Sequence, residues 1–97
     1  MPKGYFLSAH RSEADPDKRK AYLKLAIPAM LAAGGRPLSS GECRVEAREN
    51  GIVQRTVLIE FDSFEAAKIA YESEPYQRAL KALADGADRD VRIFEGL

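Results

Sequence analysis

The segment Gly4 to His10 (Gly-Tyr-Phe-Leu-Ser-Ala-His) carries apolar side chains on both sides of one short extended run. Phe6, Ser8 and His10 share one face, and Tyr5, Leu7 and Ala9 the other, because successive side chains of a strand point in opposite directions. A strand that is apolar on both faces is covered on both. A chain of 97 residues has room for one core and is read as one domain over residues 1–97. Its own helices can cover one side of that strand. The other side needs a cover from elsewhere.

The next segment is helical. Asp15 can accept hydrogen bonds from the first free backbone N–H groups, and Pro16 suits the first helical position. Tyr22, Leu25, Ala26, Ala29, Met30 and Ala33 recur at steps of three and four, which gives one apolar stripe. Lys18, Arg19, Lys20 and Lys24 read as a solvated face. Pro28 removes one backbone hydrogen bond and predicts a kink. Gly34-Gly35 closes the helix, since glycine readily takes the left-handed conformation beyond a cap.

Residues 36–48 and 52–61 read as two strands joined at Glu49-Asn50-Gly51, because Asn-Gly tolerates the positive φ of a tight hairpin. Thr56–Phe61 is the central strand, with Val57, Ile59 and Phe61 on one face and Thr56, Leu58 and Glu60 on the other. Its partner is more polar and contains Gly41, as expected of an edge or a bulge. Cys43 falls there and reads as a small packing residue. Asp62-Ser63 caps a further helix carrying Phe64, Ala66, Ala67, Ala70 and Tyr71. That helix breaks at Ser73-Glu74-Pro75, because a residue before proline is disfavoured in helical geometry. A short helix with Tyr76, Leu80, Leu83 and Ala84 follows, and Arg89–Glu95 forms the last strand. The order β-α-β-β-α-(α)-β is the split βαβ, ferredoxin-like α+β arrangement: a four-stranded antiparallel sheet with an extra short helix before its last strand. Its uncovered apolar face is most simply met by a second copy, in a two-fold homodimer through the sheet face.

Charge and composition exclude several functions. Fifteen basic residues balance fifteen acidic ones, which argues against nucleic acid as a partner, since phosphate binding needs a positive surplus. The first 48 residues carry a surplus of four positive charges and the rest a surplus of four negative ones. Such halves can attract within one fold or across a dimer. One cysteine and one histidine leave no disulfide, no cysteine-rich site and no all-histidine zinc site, so no metal and no cofactor are expected. No apolar run approaches a membrane span, and the start does not read as a secretory leader, so a cytoplasmic protein without membrane contact is expected.

Asp15-Pro16 with Tyr22, Gly34-Gly35-Arg36, Ile59-Glu60-Phe61, Ala66-Ala67, Tyr71-x-Ser73-x-x-Tyr76-Gln77 and Glu95-Gly96 together resemble the domain-of-unknown-function family numbered 1330 (DUF1330). The resemblance spans nearly the whole chain. It implies the dimeric α+β barrel superfamily, in which two ferredoxin-like sheets pair, and it implies no established reaction.

Candidate functional residues follow from the residue types. Glu60 stands at the end of an apolar strand, on the face that would line a barrel. It reads either as a general base or as half of a structural ion pair with Arg36, Arg55 or His10. His10 can shuttle a proton or simply sit partly exposed at a strand end. Tyr22, Tyr71 and Tyr76 fit core faces, or a pocket with their hydroxyls turned inward. Arg36, after two glycines, can clamp an anion or lie on the surface past a helix stop. The expected function is binding of a small molecule in a cavity between sheet and helices, with Arg36, Arg55, Tyr22, Tyr71 and Tyr76 as binding candidates. The alternative is a cofactor-free enzyme of isomerase or monooxygenase type, acting on a small organic acid or carbonyl compound with Glu60 or His10 as base.

Overall fold

The computed structural model describes residues 2–97. Four strands, β1 (Gly4–His10), β2 (Arg36–Ser39), β3 (Thr56–Phe61) and β4 (Arg89–Glu95), form one sheet in the order β2-β3-β1-β4. Every neighbouring pair is antiparallel. Three helices complete the chain: α1 (Pro16–Ala32), α2 (Phe64–Glu72) and α3 (Glu74–Leu83). This is the ferredoxin-like α+β architecture that the order of elements predicts.

The period-two pattern decides which face of the sheet meets the helices. Phe6 and Phe61 are fully buried and Ser8, His10 and Ile59 nearly so, whereas Tyr5, Leu7, Leu58 and Glu60 on the opposite face are only half-buried. The helices add Tyr22, Ala26, Ala29 and Met30 from α1, Ala67 and Ala70 from α2, and Tyr76, Ala79 and Leu83 from α3. Many of these are alanines, which let the helices lie close to the sheet and to one another. The stripe on α1 is narrower than its spacing suggests: Leu25 and Ala33 are exposed, and Leu23 packs against the core instead.

Local chemistry places the helix ends. Asp15 accepts from the Lys18 amide at 3.0 Å, and Ser63 from the Ala66 amide at 3.1 Å. Of the two possible caps of α2, Ser63 is the one used, and Asp62 pairs with Arg36 at 3.1 Å. At the end of α1, the Gly35 amide reaches the Met30 carbonyl (2.9 Å) and the Gly34 amide the Leu31 carbonyl (3.1 Å), with Gly34 at φ 90°. This is the paired closure that favours glycine after a helix. Pro28 lies inside α1 without ending it. The break between α2 and α3 falls on Ser73, which is extended; Glu74 is already helical and Pro75 occupies the first turn of α3.

The long hairpin does not form. β2 stops at Ser39, and residues 40–55 contain no strand. The Asn50-Gly51 turn closes locally, with the Gly51 amide on the Arg48 carbonyl at 2.8 Å and Glu49 at φ 53°. Ile52 and Val53 beyond it stay exposed. A strand pair needs a buried face to hold its register, and residues 42–49, which alternate charged with small side chains, offer none. β2 is an edge strand with a register shift between Pro37 and Ser39, as its polar sequence suggests. Cys43 is exposed rather than packed.

Candidate functional site

A cavity of about 300 Å³ opens between α1 and the helix-facing side of the sheet. Leu23, Ala26, Ile27 and Met30 of α1 face Val57 and Ile59 of β3 across it. These walls are apolar because the same period that builds the core turns these residues of α1 toward the helix-facing side of β3.

The polar lining is concentrated in one cluster. Arg89, first residue of β4, stands directly opposite His10 of β1 in the antiparallel register, on the helix-facing side. Its Nη1 donates to Ser8 Oγ and to the Tyr22 hydroxyl, each at 3.2 Å, and the guanidinium lies 5.0 Å from the centre of the Tyr22 ring. The Tyr22 hydroxyl is in turn 2.8 Å from that of Tyr76. Arg19 from α1 and Arg55 from the approach to β3 meet one carboxylate, Glu42, at 3.6 Å and 2.8 Å. Among the described residues Glu42 is the only acidic one that lines the cavity. His10 is 9% exposed and its Nδ1 is buried without a hydrogen-bond partner. Burial, and then the positive charges of Arg89, Arg19 and Arg55, hold its imidazole below the ordinary value, with Glu13 pulling the other way. The ring is therefore neutral at pH 7.

The residues singled out in the sequence divide among three places. His10, Arg55 and Tyr22 line the cavity. Tyr71 and Tyr76 pack on Phe6 and on each other, with Tyr71 and Tyr76 ring centres 5.2 Å apart. Burial drives the Tyr76 phenol far above its usual range, so it is a fixed neutral group. Glu60 and Arg36 lie on the opposite face of the sheet. Arg36 Nε donates to Glu60 at 3.0 Å, the Tyr5 hydroxyl donates to the same carboxylate at 3.4 Å, and the cavity does not reach them. His10 is buried rather than partly exposed.

Arg89, Arg19 and Ser8 carry much of the site and were not singled out. The signal was present. Arg89 shares the period-two face of Val91 and Ile93, so a guanidinium stands on an apolar face. Arg19 precedes Tyr22, Leu23 and Ala26 by three, four and seven residues, which places it on the buried stripe of α1, not on the solvated face. Among the described residues no group of three or more His, Cys, Asp or Glu side chains could hold a metal ion.

A sheet of this order with helices on one face and a cavity beneath α1 defines a ferredoxin-like α+β fold. The chain belongs to the family described as Domain of unknown function (DUF1330), which it matches over residues 3–97. No curated protein matches it. Solved structures share the fold at low identity. A protein of unknown function from Rhodopseudomonas palustris is 17% identical with a TM-score of 0.71, over 99% of this chain and 83% of that one. An ethyl tert-butyl ether d (ethd) family protein from Bacillus halodurans is 15% identical with a TM-score of 0.62, over 100% of both chains. SnoaB, a cofactor-independent oxygenase from Streptomyces nogalater, is 12% identical with a TM-score of 0.60, over 97% of this chain and 92% of that one. No helix among the described residues is long and apolar enough to cross a membrane.

Proposed function

We propose that the protein binds a small organic molecule in the cavity between α1 and the sheet. The observation that carries this reading is the cavity itself: about 300 Å³, apolar along most of its wall, with hydrogen-bonding side chains gathered in one cluster. That combination is characteristic of ligand sites, at the small end of their size range. A single substituted ring fits the space. Amide NMR of the protein titrated with nitrobenzene tests the reading. Shifts concentrated at Leu23, Ala26, Val57 and Ile59 are expected, and shifts scattered over the surface, or none, overturn it. Native mass spectrometry of protein purified from its own host would then show a retained molecule.

The same reading includes a homodimer through the other face of the sheet. Tyr5, Leu7, Leu58 and Phe94 lie there; Tyr5 stacks on Phe94 with ring centres 5.4 Å apart, and Leu7 stands opposite Leu58. Arg36–Glu60 and Asp90–Arg92 ion pairs add charged groups to that face. An apolar centre with polar groups around it is the anatomy of a protein interface. Sedimentation equilibrium at micromolar concentration is expected to give a dimer that Leu7→Arg converts to monomer. A monomeric wild type removes this part of the reading.

One observation favours a second reading, the cofactor-free enzyme. His10 lines the cavity as a neutral imidazole beside Arg89, so a proton acceptor stands next to a fixed positive charge. SnoaB shows that this fold can support catalysis without a cofactor. Transfer of a proton from the carbon next to a ligand carbonyl to His10, with the electron pair moving onto the oxygen, needs no other reagent. Exchange of that proton with deuterated solvent, followed by NMR with phenylacetone, is expected to depend on His10. Equal exchange with His10→Asn argues against it.

A further inference from the structure

A neutral ring in the cavity makes no use of the basic cluster at one end of it. Arg89 is half-buried, yet both side-chain hydrogen bonds it makes leave from Nη1 and end on uncharged oxygens, Ser8 Oγ and the Tyr22 hydroxyl. Among the described residues no carboxylate comes within ion-pair distance of it. A guanidinium presents five donors in a planar fork, and the rest of that fork is left for another partner. Removing a charge from water without an opposite charge is costly, so the arrangement stores an unmet preference for an anion. Three guanidinium groups, Arg19, Arg55 and Arg89, line the cavity against the one carboxylate of Glu42, and that carboxylate is already shared by Arg19 and Arg55. Ser8 and Tyr22 hold the Arg89 head in place by hydrogen bonds, with the Tyr22 ring beside it. The apolar wall begins beside this group, with Leu23 next to Tyr22 in α1 and Ala26 one turn along.

We propose that this end of the cavity binds an anionic oxygen, and that the ligand is a small apolar molecule, about one ring in size, carrying a single acidic group (a phenol, an enol or a carboxylic acid) and held as its conjugate base by Arg89. The inference rests on the cavity reading and adds the chemical class of the ligand. Arg19 and Arg55 supply long-range attraction for the anion. Two acidic groups on one ligand do not suit the site, because the wall opposite the basic cluster is apolar. A neutral ring fills the cavity but leaves the fork of Arg89 unanswered.

Three chromophoric probes of nearly one size separate the cases: nitrobenzene, p-nitrophenol and p-nitrobenzoate. The absorbance of p-nitrophenol reports its ionisation directly. In the presence of the protein its titration is expected to shift to lower pH, and the anion to bind at least about tenfold more tightly than nitrobenzene, as suits a charge-assisted hydrogen bond away from bulk water. p-Nitrobenzoate distinguishes carboxylic acids from phenols by which of the two anions binds better. Arg89→Met is expected to bring anion and neutral ring to within about threefold of each other. Arg55→Met is expected to lower anion affinity by a few-fold more than it alters nitrobenzene affinity, and it keeps the test alive if Arg89→Met does not fold. Nitrobenzene binding with no preference for either anion in the wild type overturns this inference and leaves the cavity reading standing. Failure of all three probes to bind overturns both.

Discussion

Arg89 and Tyr22 meet twice, the guanidinium donating to the phenol oxygen at 3.2 Å while its carbon lies 5.0 Å from the ring centre. The Tyr22 hydroxyl also lies 2.8 Å from that of Tyr76, which is 0% exposed. The three groups form a chain from the cavity into the core, and the two ends of that chain are not equivalent. Tyr22→Phe leaves the buried Tyr76 hydroxyl without its partner and takes an acceptor from Arg89, so it should cost about 1–3 kcal/mol. Tyr76→Phe leaves Tyr22 bonded to Arg89 and should cost about 1 kcal/mol or less. Urea unfolding of the two single variants and the double variant checks the order, and the double variant should lose less than the sum, because both changes break one contact.

His10 gives the cavity a pH dependence of definite sign. Burial and the charges of Arg89, Arg19 and Arg55 depress its folded-state pKa below the ordinary 6.5, with Glu13 opposing. As pH falls through that value the unfolded chain takes up a proton that the folded chain does not, so stability declines toward acid. The contribution is complete above about 6.5 and is lost as pH drops toward the folded value. It is the chain's one histidine, so its ring protons give a single NMR titration, with a midpoint expected below 6.5. His10→Asn should flatten the stability profile in that interval and leave the steeper acid loss from carboxylates in place.

The parts of the fold that show in the sequence are those where a period coincides with burial. Gly4–His10 and Thr56–Phe61 are short runs with apolar residues on both faces and pair as strands, and Asp15 and Gly34-Gly35 bracket α1 by local backbone chemistry. The hairpin expectation failed because Asn50-Gly51 specifies a turn and nothing more. A turn becomes a hairpin only if its flanks gain by pairing, and residues 42–49 have little to bury. For the site, the sequence placed Glu60 on the face opposite Val57, Ile59 and Phe61, where the structure has it, but left open whether it acts as a base or pairs with Arg36. A carboxylate at the end of a strand looks the same whether it lines a cavity or answers an arginine on the next strand, and only the position of Arg36 opposite Glu60 decides. Arg89 is hard to read from sequence because the first residue of a strand looks like an exposed end.

Two glycines of ordinary appearance should respond very differently to a methyl group. A Cβ on Gly4 would stand 2.1 Å from the Ser63 carbonyl oxygen, where β1 passes under the start of α2. Backbone on both sides leaves nothing flexible to yield, so Gly4→Ala should cost more than about 3 kcal/mol or prevent folding. A Cβ on Gly34 meets nothing within 4 Å, and its penalty comes only from φ 90°. Gly34→Ala should cost about 1–2 kcal/mol. Thermal melts of the two variants separate a clash from a conformational preference.

Glu60 tests whether the two faces of the sheet act independently. It accepts from Arg36 at 3.0 Å and from Tyr5 at 3.4 Å, and Arg36 also holds Asp62 at 3.1 Å. The network borders the apolar residues of the open face, with the whole thickness of the sheet between it and the cavity. Glu60→Gln keeps the size and the hydrogen-bonding oxygen but removes the charge. Because Arg36 is substantially exposed and keeps Asp62, monomer stability should change by less than about 1 kcal/mol. Nitrobenzene and p-nitrophenol should bind the variant as they bind the wild type. Dimer dissociation should be the property that responds, since a charge answered on one copy lies where the second copy would pack. A Glu60→Gln protein that lost probe binding while keeping its oligomeric state would mean that the carboxylate serves the cavity after all, through a movement of β3 that carries Val57 and Ile59 with it.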